Sequence, residues 1–355
     1  MSETDEFAEA LLAQLSVEIN EEKEIDSLSK KIKEDNEFKV EFGDTEKIAQ
    51  TLLPDLIQRV NDYMGLSVSP DLSIVGLELE ELKRFKGKKV FTTKAARQFV
   101  DELFYAVSKN DLEKISDSIK KDTTKFLVYS TYVKSYISKI STTYGDFLDN
   151  TIYLNKFVLD SYPKIILYKQ RPPYEPKSES VKSGYMGALK MTILEEIVHS
   201  VQNNLQRLNK VAVIQVNEIN EELARTILEL DDSTVSQLSE YLQLQLVPEE
   251  FVIAKRANLF FMLNPDNFIT NVLGPDIMTY NKVDIDPKIL EFIPSLLEIY
   301  QRWLKPIQAQ HAVFTTMEGM AEFVVQNILK DDPDFQNYLS TFIGTDYSAY
   351  SVKKS

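Results

Sequence analysis

Residues 306–329, PIQAQHAVFTTMEGMAEFVVQNIL, carry only two charged side chains, Glu318 and Glu322. A stretch this long and this poor in charge must be sheltered by the rest of the chain if it is helical, and its spacing is helical. Val313, Met317, Met320, Val324 and Ile328 fall on one arc, with Phe314, Ala321 and Val325 beside the acidic stripe. His311, Glu318 and Glu322 lie within about 40° of one another on the helical wheel. The expectation is a largely buried helix. An ionised carboxylate there needs a cation, a hydrogen-bond network or a proton. Pairing with Lys or Arg, or a place on a solvent channel, would serve equally well. Gly319 is expected to admit the close approach of another helix or of a substrate.

A second segment, TILEEIVHS at 192–200, has the same helical character. Glu195 and His199 are four residues apart and share one stripe, and Glu196 sits 100° round. Ile193, Leu194, Ile197, Val198, Val201 and Leu205 fill the opposite arc. Two ligands at i and i+4 can grip one ion, and an adjacent carboxylate can hold the water beside it. The same residues would also suit the solvated side of an amphipathic helix, which Gln202, Asn203 and Gln206 share.

Composition narrows the chemistry further. The chain has 355 residues, no cysteine and two histidines, His199 and His311. This excludes a disulfide framework, Cys-ligated zinc or iron–sulfur centres, and a cysteine nucleophile. A ferritin-like two-metal site needs two ExxH units, and only Glu196 to His199 fits. The net charge of −15 argues against nucleic acid as a partner. A basic and aromatic run, with Lys164, Lys169, Arg171, Lys177 and Lys182 among Tyr168, Tyr174 and Tyr185, is diluted by Glu175 and Glu179. No transmembrane helix is expected, and the acidic N-terminus does not read as a secretory signal. These features together predict a cytoplasmic protein.

The fold class expected is α+β, mainly α. Residues 1–44 hold 14 acidic and 5 basic side chains and read as an acidic, partly disordered arm, with Phe7, Leu11, Leu12 and Leu15 spaced for one docking helix. Ordered structure is expected from Asp44 or Thr45, with a helix to Gly65 and Pro54 as a kink or late first turn. A short strand is expected near 72–75, a helical block over 93–141, a strand-like segment over 143–158 and a loop over 171–187. Helices are expected over 187–208, 216–246, 288–303 and 306–330, with irregular structure at 262–288 and Trp303 in the core. The division expected is 45–205, 206–345 and a tail at 346–355.

At EEIVH and MEGMAEF the chain resembles the zincin metallopeptidases, in particular their glutamate-liganded branch, the gluzincins. One helix of that family carries HExxH, and a later helix supplies a third ligand, a Glu, within a stretch like EGxAxx. The resemblance sets Glu195 where the first ligand histidine stands, Glu196 as the general base, His199 as the second ligand histidine and Glu318 as the third ligand. YGDFLDNTIYLN is similar to the edge strand along the family's substrate cleft, so the scissile carbonyl would lie near 151–155. The resemblance implies a zincin-like core with a small sheet, an active-site helix and a large helical C-terminal part. The 118 residues between His199 and Glu318 would then be a helical insertion.

The departure at Glu195 has physical consequences. A Glu195, His199, Glu318 set can ligate zinc, but its oxygen-rich character suits Mn²⁺ or Ca²⁺ better than two imidazoles would. Two carboxylates also offset the ion's charge and weaken it as a Lewis acid. His311 is a candidate ligand, a catalytic hydrogen-bond donor or a packed core histidine. Two functions stay open. One is a metal-dependent peptidase, a hydrolase acting on a peptide or protein. The other is a pseudoenzyme, with or without a bound metal, that serves as a non-catalytic protein-interaction or binding module on the same mainly helical scaffold.

Overall fold

The computed structural model describes residues 43–78, 111–129, 143–156, 158–160, 178–244, 252–265 and 282–343, with isolated positions at 5, 8, 81 and between 98 and 109. In chain order the elements are α1 (Thr45–Met64), β1 (Ser73–Leu77), α2 (Leu112–Lys121), β2 (Gly145–Leu148), β3 (Thr151–Asn155) and α3 (Ser178–Ser200). They continue as α4 (Asn203–Leu228), α5 (Asp232–Tyr241), α6 (Val252–Leu263), α7 (Pro287–Phe292), α8 (Leu296–Leu329) and α9 (Pro333–Ile343). The fold is α+β and mainly α. No described helix is long and apolar enough to cross a membrane.

The chain forms two compact units that are interleaved in sequence rather than consecutive. One comprises residues 1–19, 90–137 and 207–314, and the other 20–89, 138–206 and 315–355. The all-helical unit has its core around Trp303, Tyr300, Phe260, Leu223 and Ile299, with Trp303 fully buried. Burial drives the Tyr300 phenol far above its ordinary value, and its hydroxyl donates to the Leu263 carbonyl at 2.6 Å. The N-terminal arm reaches this core. Ala8 is fully buried in it, and Asp5 accepts a hydrogen bond from Ser116 at 2.7 Å.

The second unit holds the sheet. Asp44 caps α1 by accepting from the backbone of Glu46 and Lys47, and Gly65 closes it at φ 63°, a left-handed position that suits glycine. Pro54 lies within α1. The strand order is β1-β3-β2, with β1 parallel and β2 antiparallel to β3. The segment expected as one strand over 143–158 is a hairpin. Asp149 and Asn150, at φ 49° and 62°, make the two-residue turn that matches strand twist. Among the described residues the strand at 151–155 is therefore central, and β1 and β2 are the edges. Ile74, Ile152 and Phe147 line one face of the sheet and join the core with α1 and α3.

Helix α3 is the axis of this unit. It begins at Ser178, so residues 178–187, expected as part of a loop, are helical. Residues 171–177 of that loop lie outside the described residues, as do Lys164, Lys169, Tyr168, Arg171, Tyr174, Glu175 and Lys177 of the basic and aromatic run. Gly187, read as a loop glycine, is instead a packing glycine, because a Cβ there would sit 2.2 Å from the Asp334 carbonyl oxygen of α9. Lys190 bridges Asp332 and Asp334 at 2.8 Å each, and Asp332 caps α9 through the N–H groups of Asp334 and Phe335. Earlier on the same helix Tyr185 shares a hydrogen bond with Thr45, and burial pushes its phenol up to about 12.

Helix α8 differs from expectation in two ways. It is one helix of 34 residues that passes through Pro306, where a break had been expected. Between 315 and 329 it buries only Ala321, Val324, Val325 and Leu329 on one side. Its other side is exposed, with Phe323 at 63%. Thr, Gln, Asn and Met occupy that solvent side, so scarcity of charge did not signal burial. The polar 216–246 block likewise divides into α4 and α5 at Leu230 and Asp231.

The Lys190 bridge gives a measurable test. Burial works against both partners, yet the two carboxylates hold Lys190 above its ordinary 10.5, and Lys190 with the α9 backbone holds Asp332 below its ordinary 3.8. The depressed Asp332 adds stability above pH 3.8 that is lost as pH falls through its lower folded value. The raised Lys190 adds stability below pH 10.5 that is lost as pH rises through its higher folded value. Lys190→Met should lower unfolding free energy by about 3 kcal/mol at pH 7. In urea titrations the gap between wild type and variant should close as pH drops below 3.8.

Candidate metal centre

Helix α3 is buried nearly all round, and this determines the character of its polar stripe. Thr192 is 1% exposed, Glu196 6% and His199 8%, whereas Glu195 is half-buried. The stripe is not the solvated side of an amphipathic helix. Thr192 satisfies its hydroxyl by donating to the Ala188 carbonyl one turn back, at 2.9 Å. Glu195 and His199 project toward α8 and meet Glu318. One ligand atom from each of Glu195, His199 and Glu318 lies within 4.8 Å of the others. The His199 Nε2 to Glu318 Oε1 distance is 3.7 Å. All three belong to the unit that contains the sheet.

The three ligand atoms lie close enough together that the group could hold a metal ion. A tetrahedral ion with bonds of about 2 Å spaces its ligand atoms roughly 3.3 Å apart. The His199 Nε2 to Glu318 Oε1 separation of 3.7 Å is close to that spacing. His199 also sits in the C-terminal turn of α3, where the helix dipole favours positive charge. One imidazole and two carboxylates make an anionic, oxygen-rich set.

Glu196, 100° round the helix from Glu195, turns toward β2. A Cβ at Gly145 of the edge strand β2 would lie 3.3 Å from both Cγ and Oε1 of Glu196, so this carboxylate rests against the β2 backbone. Gly145 occupies the same row of the sheet as Leu154 and Gly76. The Gly76 N–H donates to Glu46 of α1 at 2.8 Å. Two glycines flanking Leu154 thus let a carboxylate from each neighbouring helix reach the sheet.

The remaining residues singled out in the sequence lie apart from this group. Glu322 is exposed on α8. His311 is half-buried and belongs to the all-helical unit, outside the Glu195, His199, Glu318 group. Gly319 does not admit a packed neighbour, since a Cβ there would meet open space. Two residues that matter here carried weak sequence signals. Gln202, which bonds the His199 ring at 2.8 Å, looked like one more polar-face residue. Gly145 was read only as part of a strand, although glycine inside a strand marks close approach.

Comparison of the chain with protein-family models, curated proteins and solved structures gives no match.

The contact at Gly145 is testable. Gly145→Ala would set a methyl group 2.6 Å from Thr192 Cγ2 and crowd Glu196. The variant should lose about 1–3 kcal/mol in urea unfolding. Adding Thr192→Ser, which removes that methyl and keeps the hydroxyl, should restore a large part of the loss.

Proposed function

We propose that the chain is a single-metal protein of zincin-like design, a hydrolase of the metallopeptidase type with a carboxylate-rich ion site. The observation that carries this reading is the convergence of Glu195, His199 and Glu318 from two helices, with 118 residues of sequence between His199 and Glu318. A divalent ion held there would supply Lewis acidity and charge stabilisation at a scissile carbonyl. With two carboxylates in the set, Mn²⁺ or Ca²⁺ competes well with Zn²⁺.

The chain's own residues divide the remaining work. Glu196 acts as general base, taking a proton from the attacking water and returning it to the leaving amine. An extended peptide is the substrate this layout fits. The Asn155 N–H of β3 donates to the carbonyl of Tyr144, just before β2, at 2.8 Å, so by antiparallel alternation the backbone groups of Gly145 and Phe147 point away from β3. A peptide paired along β2, rather than along 151–155, would pass beside the Glu196 carboxylate.

One observation favours a second reading, a binding module without hydrolysis. The Phe147 N–H, which such a peptide would use, is taken by the Asp146 carboxylate at 3.0 Å. Glu195 also weakens the ion as a Lewis acid.

Equilibrium dialysis with elemental analysis separates these. The hydrolase reading predicts one divalent ion per chain, lost in His199→Ala and Glu318→Ala. Glu195→His should tighten zinc binding at least tenfold. Unchanged affinity in that variant would contradict the ligand assignment. Cleavage of a peptide library that disappears in Glu196→Gln would establish the hydrolase. Ion binding without cleavage would establish the module.

A further inference from the structure

Gln202 occupies the two-residue joint between α3 and α4 and is 5% exposed. Its Nε2 donates to the Met317 carbonyl of α8 at 3.1 Å. Its Oε1 lies 2.8 Å from Nδ1 of His199. A backbone carbonyl can only accept, so the Met317 contact fixes which end of the Gln202 amide faces which way. Oε1 must then face the ring, and it too can only accept. In the neutral ring the proton therefore belongs on Nδ1, which leaves Nε2 with a bare lone pair. Nε2 is the atom 3.7 Å from Glu318.

From this chain of bonds we infer that Gln202 is a positioning residue, holding His199 as its Nδ1–H tautomer so that Nε2 is presented to the ion as a ligand. This inference rests on the metal reading above. Two features support a built device rather than incidental polar contacts. Met317 directly precedes Glu318, so a single amide sets the imidazole ring against the very turn of α8 that carries the opposing carboxylate. Gln206 adds a second brace, its Nε2 donating to the His199 backbone carbonyl at 2.8 Å. Partners that orient a ligating imidazole in this way typically change metal affinity about 10–100-fold when removed.

The chain has only two histidines, so side-chain ¹⁵N spectra of histidine-labelled, metal-free protein give two ring systems. A His311→Gln sample assigns them. At pH 8 the His199 ring should show a protonated Nδ1 and a lone-pair Nε2. Gln202→Met, similar in volume but without hydrogen bonding, should shift the ring toward the Nε2–H form and weaken Zn²⁺ and Mn²⁺ binding 10–100-fold. Gln202→Glu keeps the acceptor oxygen and should keep the Nδ1–H ring, with affinity within a few-fold of wild type.

A His199 ring protonated at Nε2 in the wild type would overturn the inference. So would a Gln202→Met chain with unchanged tautomer and unchanged affinity. A wild-type chain that shows the Nδ1–H ring but binds neither ion would overturn the metal reading, and with it the ligand role, while leaving the hydrogen-bond assignment standing.

Discussion

The nearly complete burial of α3 governs this half of the molecule. A helix covered by α1, the sheet, α8 and α9 cannot leave Thr192, Glu196 and His199 to water. Each must find its partner inside the unit. Thr192 turns back to its own helix, Glu196 lies against a strand glycine, and His199 is taken up by Gln202. The tight seam with α9, made possible by Gly187 and tied by Lys190, holds the helix in that covered position.

This burial also separates the roles of two adjacent carboxylates. Glu195 and Glu196 differ by one residue and hence by 100° around the helix. Glu195 joins an imidazole and a distant carboxylate in a group that could hold a cation. Glu196 points to the edge strand, where an extended chain would lie. A Glu-His-Glu group beside a sheet edge is thus produced by one rotation along one helix, with Glu318 brought in by the second.

Several of these relations were legible in the sequence because they are local. The i, i+4 pair of Glu195 and His199 and the Asp44 and Gly65 caps follow from helical geometry and capping chemistry. Glu318 was singled out by the apolar stretch around it, but the exposure of that stretch was misread. Met320 and Phe323 are apolar residues that face solvent, and nothing in periodicity says which side of such a helix is covered. The Asp149–Asn150 turn was missed because it lacks glycine, although both residues tolerate positive φ. The interleaving of the two units depends on long-range packing that no local pattern encodes. Gln202 was invisible for the same reason, since its meaning comes from Met317, 115 positions away.

The central claim is that one ion is held jointly by α3 and α8. Anomalous diffraction from crystals grown with Zn²⁺ or Mn²⁺ tests it most directly. The account requires a single strong anomalous peak about 2 Å from His199 Nε2 and from carboxylate oxygens of Glu195 and Glu318. A well-ordered site with no peak there, or an ion bound only by residues elsewhere, would contradict it.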